Sequence, residues 1–91
     1  MKIQLAKPAN NDLTAIYSYI QQDNPAAADR VISRVLEAIE YLPTHPNIGR
    51  IGRVPSTREL VVSGTPFIVV YQIRPQKILI VRILHSARKW P

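Results

Sequence analysis

The chain has 91 residues, 46% of them apolar and 20% charged, a length and balance that allow one folded domain and exclude both a disordered chain and a multidomain one. Zero cysteines and only two histidines, His45 and His85, exclude a disulfide scaffold, a thiol nucleophile and the usual Cys/His metal sets, so no metal or cofactor is expected. Twelve Lys/Arg against six Asp/Glu give a net charge of +6, which favours phosphate or carboxylate partners over neutral ones.

Ile3 and Leu5 alternate with Lys2 and Gln4, which predicts a short strand ended by Pro8. From about Pro8 to Gln22, Leu13, Ile16, Tyr17 and Ile20 fall at i, i+3, i+4 and i+7, the spacing that lines one face of a helix. Asp23-Asn24-Pro25 then breaks the pattern, with Asn24 placed to cap a second helix and Pro25 at its first position. That helix runs to about Leu42, its apolar stripe Ala28, Ile32, Val35, Ile39 and Leu42 opposed by Asp29, Arg30, Arg34, Glu37 and Glu40. So short a break folds the two helices into an antiparallel hairpin.

Pro43, His45-Pro46 and Asn47 end the second helix, and the stretch to Ser56, with Gly49, Arg50, Gly52, Arg53 and Pro55, reads as a loop. Three strand-like runs follow, Arg58–Ser63, Phe67–Arg74 and Lys77–Leu84, separated by gaps short enough for hairpins. The predicted class is α+β, in the order β-α-α-β-β-β, with the helical hairpin packed on a mostly antiparallel four-stranded sheet.

Charge is segregated along this order. The first 45 residues carry four Lys/Arg against five Asp/Glu, whereas residues 46–91 carry eight against Glu59 alone. The central strands are apolar on both faces: Phe67, Val69, Tyr71 and Ile73 alternate with Ile68 and Val70, and in Ile78–Leu84 only Arg82 interrupts. Two helices shield one face, so the other is expected to lie open as a partner surface. The alternative is that the loop and the termini close it. The N-terminus has no signal-peptide core, and the longest apolar run, Phe67–Tyr71, falls far short of the ~20 residues of a bilayer span, so a cytoplasmic protein with no membrane contact is expected.

The last segment, Arg82-Ile83-Leu84-His85-Ser86-Ala87-Arg88-Lys89-Trp90-Pro91, crowds arginine, histidine and an aromatic together. Those residue types suit RNA cleavage, in which a histidine moves protons, arginines stabilise the phosphorane and an aromatic stacks a base. His85 has no carboxylate in its own segment to orient it, however, and Glu59 reads as an ion-pair partner for a neighbouring cation. Gly49 and Gly52 do not follow a strand and open a helix, so they form no phosphate loop, and Ser56, Ser63 and Ser86 sit in no nucleophile elbow.

Gly49-Arg50 through Arg53-Val54, Thr57-Arg58-Glu59-Leu60-Val61, Phe67-Ile68-Val69-Val70-Tyr71, and Arg82-Ile83-Leu84-His85 with Arg88 and Trp90-Pro91 together resemble the RelE/ParE superfamily of toxins from type II toxin–antitoxin modules. The resemblance covers nearly the whole chain and implies the same β-α-α-β-β-β order. It implies one of two activities. The RelE-like branch cuts mRNA on the ribosome with strand lysines, a strand arginine and C-terminal Arg and Tyr or His side chains. Here Glu59 and Val61 stand in place of the lysines and Ile68 in place of the arginine, leaving Arg88 as charge stabiliser and His85 as proton carrier.

The ParE-like branch, which inhibits DNA gyrase by protein–protein contact, matches better. On that reading Arg58, Arg82, His85, Arg88 and Trp90 form the target surface, assisted by Arg50 and Arg53. Phe67, Val69, Tyr71, Ile80 and Arg82, with the helical hairpin, bind a cognate ParD-like antitoxin, through which alone operator DNA is contacted. The alternatives are a ribosome-dependent mRNA interferase and a non-toxic antitoxin-binding remnant.

Overall fold

The structure is a computed structural model and describes residues 1–88 and 90. Seven elements follow in chain order: β1 (Lys2–Leu5), α1 (Lys7–Asp23), α2 (Pro25–Tyr41), β2 (Arg50–Ile51), β3 (Arg58–Val61), β4 (Phe67–Ile73) and β5 (Lys77–His85). The sheet order is β1-β5-β4-β3-β2, with β1 parallel to β5 and every other pair antiparallel. The α+β architecture and helical hairpin are as predicted. The sheet has five strands rather than four, because two residues of the predicted loop, Arg50 and Ile51, pair in register with Glu59 and Arg58.

The hairpin follows from local chemistry. Asn24 takes an extended conformation, and its side-chain oxygen accepts from the Ala27 N–H at 3.1 Å, satisfying one of the free donors of α2. Pro25 starts that helix where no N–H is needed. Tyr17 in α1 then donates to Asp29 in α2 at 3.0 Å, tying the two helices side by side.

The main core lies between the hairpin and one sheet face. Ala9, Val35, Ile39 and Leu42 from the helical side meet Val69, Tyr71, Ile78 and Ile80 from the strands, each almost fully buried and contributing up to about 1.5–3 kcal/mol per large side chain. This corrects one expectation. Phe67, Val69, Tyr71 and Ile80, assigned to an open antitoxin face, are core residues under the helices, because their strand parity matches that of the face the hairpin covers.

The second face is also closed. Ile68, Val70 and Leu84 form a smaller buried cluster against which Val81 and Trp90 pack. Trp90 therefore covers the strip that the pattern suggested was left for a partner.

Arg82 corrects a second expectation. Val70 pairs with Arg82 but Tyr71 with Ile80, so Val81 is an extra residue in β5 and the in-out alternation resets there. Beyond Ile80, β1 no longer flanks β5. Asp12 of α1 takes its place, accepting from the Ile83 N–H at 2.9 Å and from Arg82 Nε and Nη2 at 2.7 and 3.0 Å. With side chains only 14% and 24% exposed, Asp12 and Arg82 form a structural fork that joins helix to strand, and Arg82 is not free for a target or an antitoxin. The Asp12 carboxylate raises the Arg82 pKa against the opposing effect of burial.

Asp12→Ala strands the Ile83 N–H and the guanidinium together, so unfolding free energy should fall by about 2–3 kcal/mol in urea titrations. The Asp12→Ala/Arg82→Ala double variant should lose less than the sum of the single variants, and full additivity would refute the coupling.

Candidate functional site

The face of the sheet away from the helices carries the candidate site. Ile68 and Val70 of β4 and Leu84 of β5 make its floor, and Arg53, Glu59, His85, Arg88 and Trp90 ring a shallow depression above it. Glu59 of β3 stands in register with Val70 and so projects onto this face.

Glu59 organises the ring. Its side chain is 3% exposed. One carboxylate oxygen accepts from Arg50 Nη2 at 3.2 Å, the other from the Arg53 backbone N–H at 3.1 Å, with Arg53 Nε 3.8 Å away. Burial alone would raise the Glu59 pKa. The Arg53 N–H, the Arg50 guanidinium and the positive charge of both arginines outweigh it and hold the carboxyl below its ordinary value.

The loop that presents Arg50 and Arg53 is fastened at both ends. On one side, the Tyr71 hydroxyl, buried in the core, donates to the Pro46 carbonyl at 2.6 Å and accepts from the Gly49 N–H at 3.0 Å. A Cβ at position 49 would lie 2.7 Å from that hydroxyl, so glycine is required by the close approach. On the other, Gly52 N–H donates to the Thr57 carbonyl at 2.8 Å and Thr57 Oγ1 to the Val54 carbonyl at 2.7 Å, closing a turn whose Ser56 takes φ 67°. Burial raises the Tyr71 pKa, with the Gly49 N–H and the Arg58 charge opposing.

His85 ends β5 with its ring edge-on to Phe67, centroids 5.7 Å apart. Its Nδ1 accepts from the Ala87 N–H at 3.1 Å, so in the neutral ring the proton resides on Nε2. The Arg88 N–H donates to the His85 carbonyl at 2.9 Å, which tightens the turn carrying Arg88.

Of the seven expected target residues, Arg53, His85, Arg88 and Trp90 meet in one depression, and Arg50 joins them through Glu59. Arg58 and Arg82 do not. The Arg58 guanidinium donates to the carbonyls of Gly49 at 2.7 Å and Asn47 at 3.3 Å, bracing the loop, and Arg82 is held by Asp12. Among the antitoxin residues, Phe67 alone borders an open groove, a space of about 400 Å³ lined also by Ile16, Tyr19, Ile20, Val31 and His85. No cluster of His, Cys, Asp or Glu suited to a metal occurs among the described residues.

Sequence reasoning missed Asp12, Thr57 and the Tyr71 hydroxyl. A signal existed for the first: Asp12 lies three residues from the buried Ala9, beside the apolar stripe, and Arg82 is the lone charge in an apolar strand.

Known proteins include relatives of this chain over most of its length. A family described as "ParE toxin of type II toxin-antitoxin system, parDE" matches residues 3–90. The Sinorhizobium fredii protein Y4kP is 40% identical over 79 residues, covering 87% of this chain and 81% of that protein. Toxin RelE2 of Caulobacter vibrioides is 42% identical over 77 residues, covering 85% of each. Among solved structures, a chain of the chromosomal ParDE TA system from P. aeruginosa superposes with a TM-score of 0.87 at 27% identity, covering 93% of this chain and 95% of that one.

A carboxyl whose pKa is depressed by folding contributes stability that is complete above its unfolded value, near 4.5 here, and lost as pH falls through the lower folded value. Glu59→Gln should therefore cost about 1–3 kcal/mol at neutral pH, and the gap to the parent protein should narrow from about pH 5 to 3. Urea midpoints that run parallel over that range would contradict the role given to Glu59.

Proposed function

The chain belongs to the ParE toxin family of type II toxin–antitoxin systems, and from that membership we propose that it blocks growth by docking its helix-free cationic face on DNA gyrase. A cognate antitoxin neutralises it. One observation carries the contact reading over RNA cleavage: the candidate site holds cations and an aromatic, and its two potential proton acceptors are already occupied. Both Glu59 oxygens receive donors, and the His85 Nδ1 lone pair is taken by the Ala87 N–H. Cleavage by attack of a ribose hydroxyl needs a group able to accept that proton within hydrogen-bond reach. Binding needs only complementary charge beside apolar surface, which Arg53, Arg88 and the exposed part of Trp90 supply.

The antitoxin is proposed to lay an apolar segment into the groove between α1, α2 and Phe67. His85 lines both that groove and the target face. A segment seated there touches the side chain that accepts from the Ala87 N–H in the turn that carries Arg88, and so reaches the toxic surface without covering all of it.

The test pairs a supercoiling assay on purified gyrase with mapping of mRNA ends on translating ribosomes. Gyrase should be inhibited while mRNA stays intact. Arg88→Ala should raise the half-inhibitory concentration by about tenfold or more with an unchanged circular dichroism spectrum. Cleaved mRNA beside active gyrase would replace this reading with that of a ribosome-dependent interferase, which the kinship with toxin RelE2 keeps in view. Inertness in both assays would leave an antitoxin-binding remnant.

A further inference from the structure

Charge in this molecule is separated by layer. Among the described residues, five of the six side-chain carboxylates, Asp12, Asp23, Asp29, Glu37 and Glu40, lie on α1 and α2. The sixth, Glu59, is the one acid on the helix-free sheet face, and it is buried. That face carries a second cationic group besides the ring around Glu59. Ile3, Leu5 and Ile78 pack into the helix-side core, so the alternate residues Lys2, Gln4 and Lys77 lie on the opposite face. Gln72 shares that face for the same reason, being next to Tyr71.

The cations of this second group are oriented by neutral amides. Lys77 Nζ donates to Gln4 Oε1 at 2.6 Å, and Arg74 Nε and Nη2 donate to Gln72 Oε1 at 3.0 and 2.7 Å. An amide oxygen positions a cation without cancelling its charge, unlike the carboxylate that holds Arg82. Gln4, Leu79 and Gln72 stand in register across β1, β5 and β4, so the two amides frame one row of the sheet. Lys2 and Lys77 are also in register on neighbouring strands, a like-charge juxtaposition that no carboxylate relieves among the described residues. Like positive charges left facing each other in this way are relieved by a bound polyanion.

From this placement we infer that the helix-free face binds the phosphate backbone of duplex DNA directly, Lys2, Arg74 and Lys77 engaging one strand and Arg50, Arg53 and Arg88 the other. Lys2, Lys77 and Arg74 share one row across β1, β5 and β4, four residues along β4 from Val70, the register partner of Glu59, and that row is centred two strands from β3, so the two groups lie about 16 Å apart before their side chains extend. With long Lys and Arg side chains reaching inward from both sides, that separation suits the two strands that border a major groove, about 12 Å wide. Single-stranded RNA fits less well: Trp90, the aromatic side chain on this face, is packed against Ile68, Val70 and Leu84 and offers no free stacking platform. An acidic peptide fits less well too, since the cations spread across the width of the sheet and follow no apolar groove. Contact of this kind is sequence-independent and goes beyond docking on gyrase.

The test uses the purified chain without gyrase and a labelled duplex of about 20 base pairs, with anisotropy read over a salt series. Five net positive charges on this face predict a slope of log K against log salt of about −4 to −5. Arg74→Gln/Lys77→Gln should weaken binding about 50-fold at roughly 0.1 M salt and flatten the slope by about 2. Gln72→Glu, which keeps the Arg74 contact but cancels its charge, should weaken binding as well, whereas Lys7→Gln and Arg30→Gln on the helices should not. Unchanged circular dichroism checks that each variant is folded. No binding at low salt, equal effects from the helix variants, tighter binding of a single-stranded RNA of the same length, or equal binding of polyglutamate would each overturn the inference. None of these outcomes bears on supercoiling by gyrase, so the two readings fail separately.

Discussion

One carboxylate on a cationic face sets the geometry of everything around it. Glu59 is nearly inaccessible, and its oxygens take a guanidinium on one side and a backbone N–H on the other. Without it, β2 would lose its lateral anchor, because a two-residue strand supplies too few backbone bonds to hold itself. Arg50 and Arg53 would then sample solvent independently. With it, both arginines are displayed on one side of the sheet, beside the His85–Arg88 turn, and the entropy of ordering them is offset within the fold before any partner arrives.

That anchor works because the rest of the molecule is layered by charge as well as by hydrophobicity. Acidic side chains cluster on the helices, where they pair with Tyr17 or Arg82 or face solvent, and the sheet is left with its cations. The hairpin and the sheet are joined at the β5 bulge by Asp12, whose three accepted bonds substitute for the strand that β1 no longer provides. The separation therefore follows from how the fold closes. Under the proposed contact mechanism, the separation supplies a preformed face whose field extends beyond the contact atoms themselves.

Much of this architecture is legible in the linear chain. Asn24-Pro25 marks the turn between helices through purely local chemistry, the helical stripes are periodic, and the strand runs are separated by turn residues. Glu59 as an ion-pair partner is legible too, since it is the lone acid in a basic half. What escapes is whatever depends on register. The extra residue at Val81 shifts the alternation and Asp12 lies 70 positions away, so the residue type of Arg82 points to a surface role that its fork with Asp12 takes away. Two apolar faces can be read from Phe67–Ile73, but which one the helices cover cannot, and so Phe67, Val69, Tyr71 and Ile80 were expected on the open side. Closure of the other face by Trp90 is long-range packing that no local pattern announces.

The central claim, that Glu59 preorganises the cationic loop, is tested most directly by amide hydrogen exchange at Arg53, whose N–H has the Glu59 carboxylate as its acceptor. The account predicts that this amide exchanges nearly as slowly as those of the paired strands, and far more slowly than its loop neighbour Ser56. Exchange at the rate of an open loop would mean that Arg50 and Arg53 are not held, and would contradict the account.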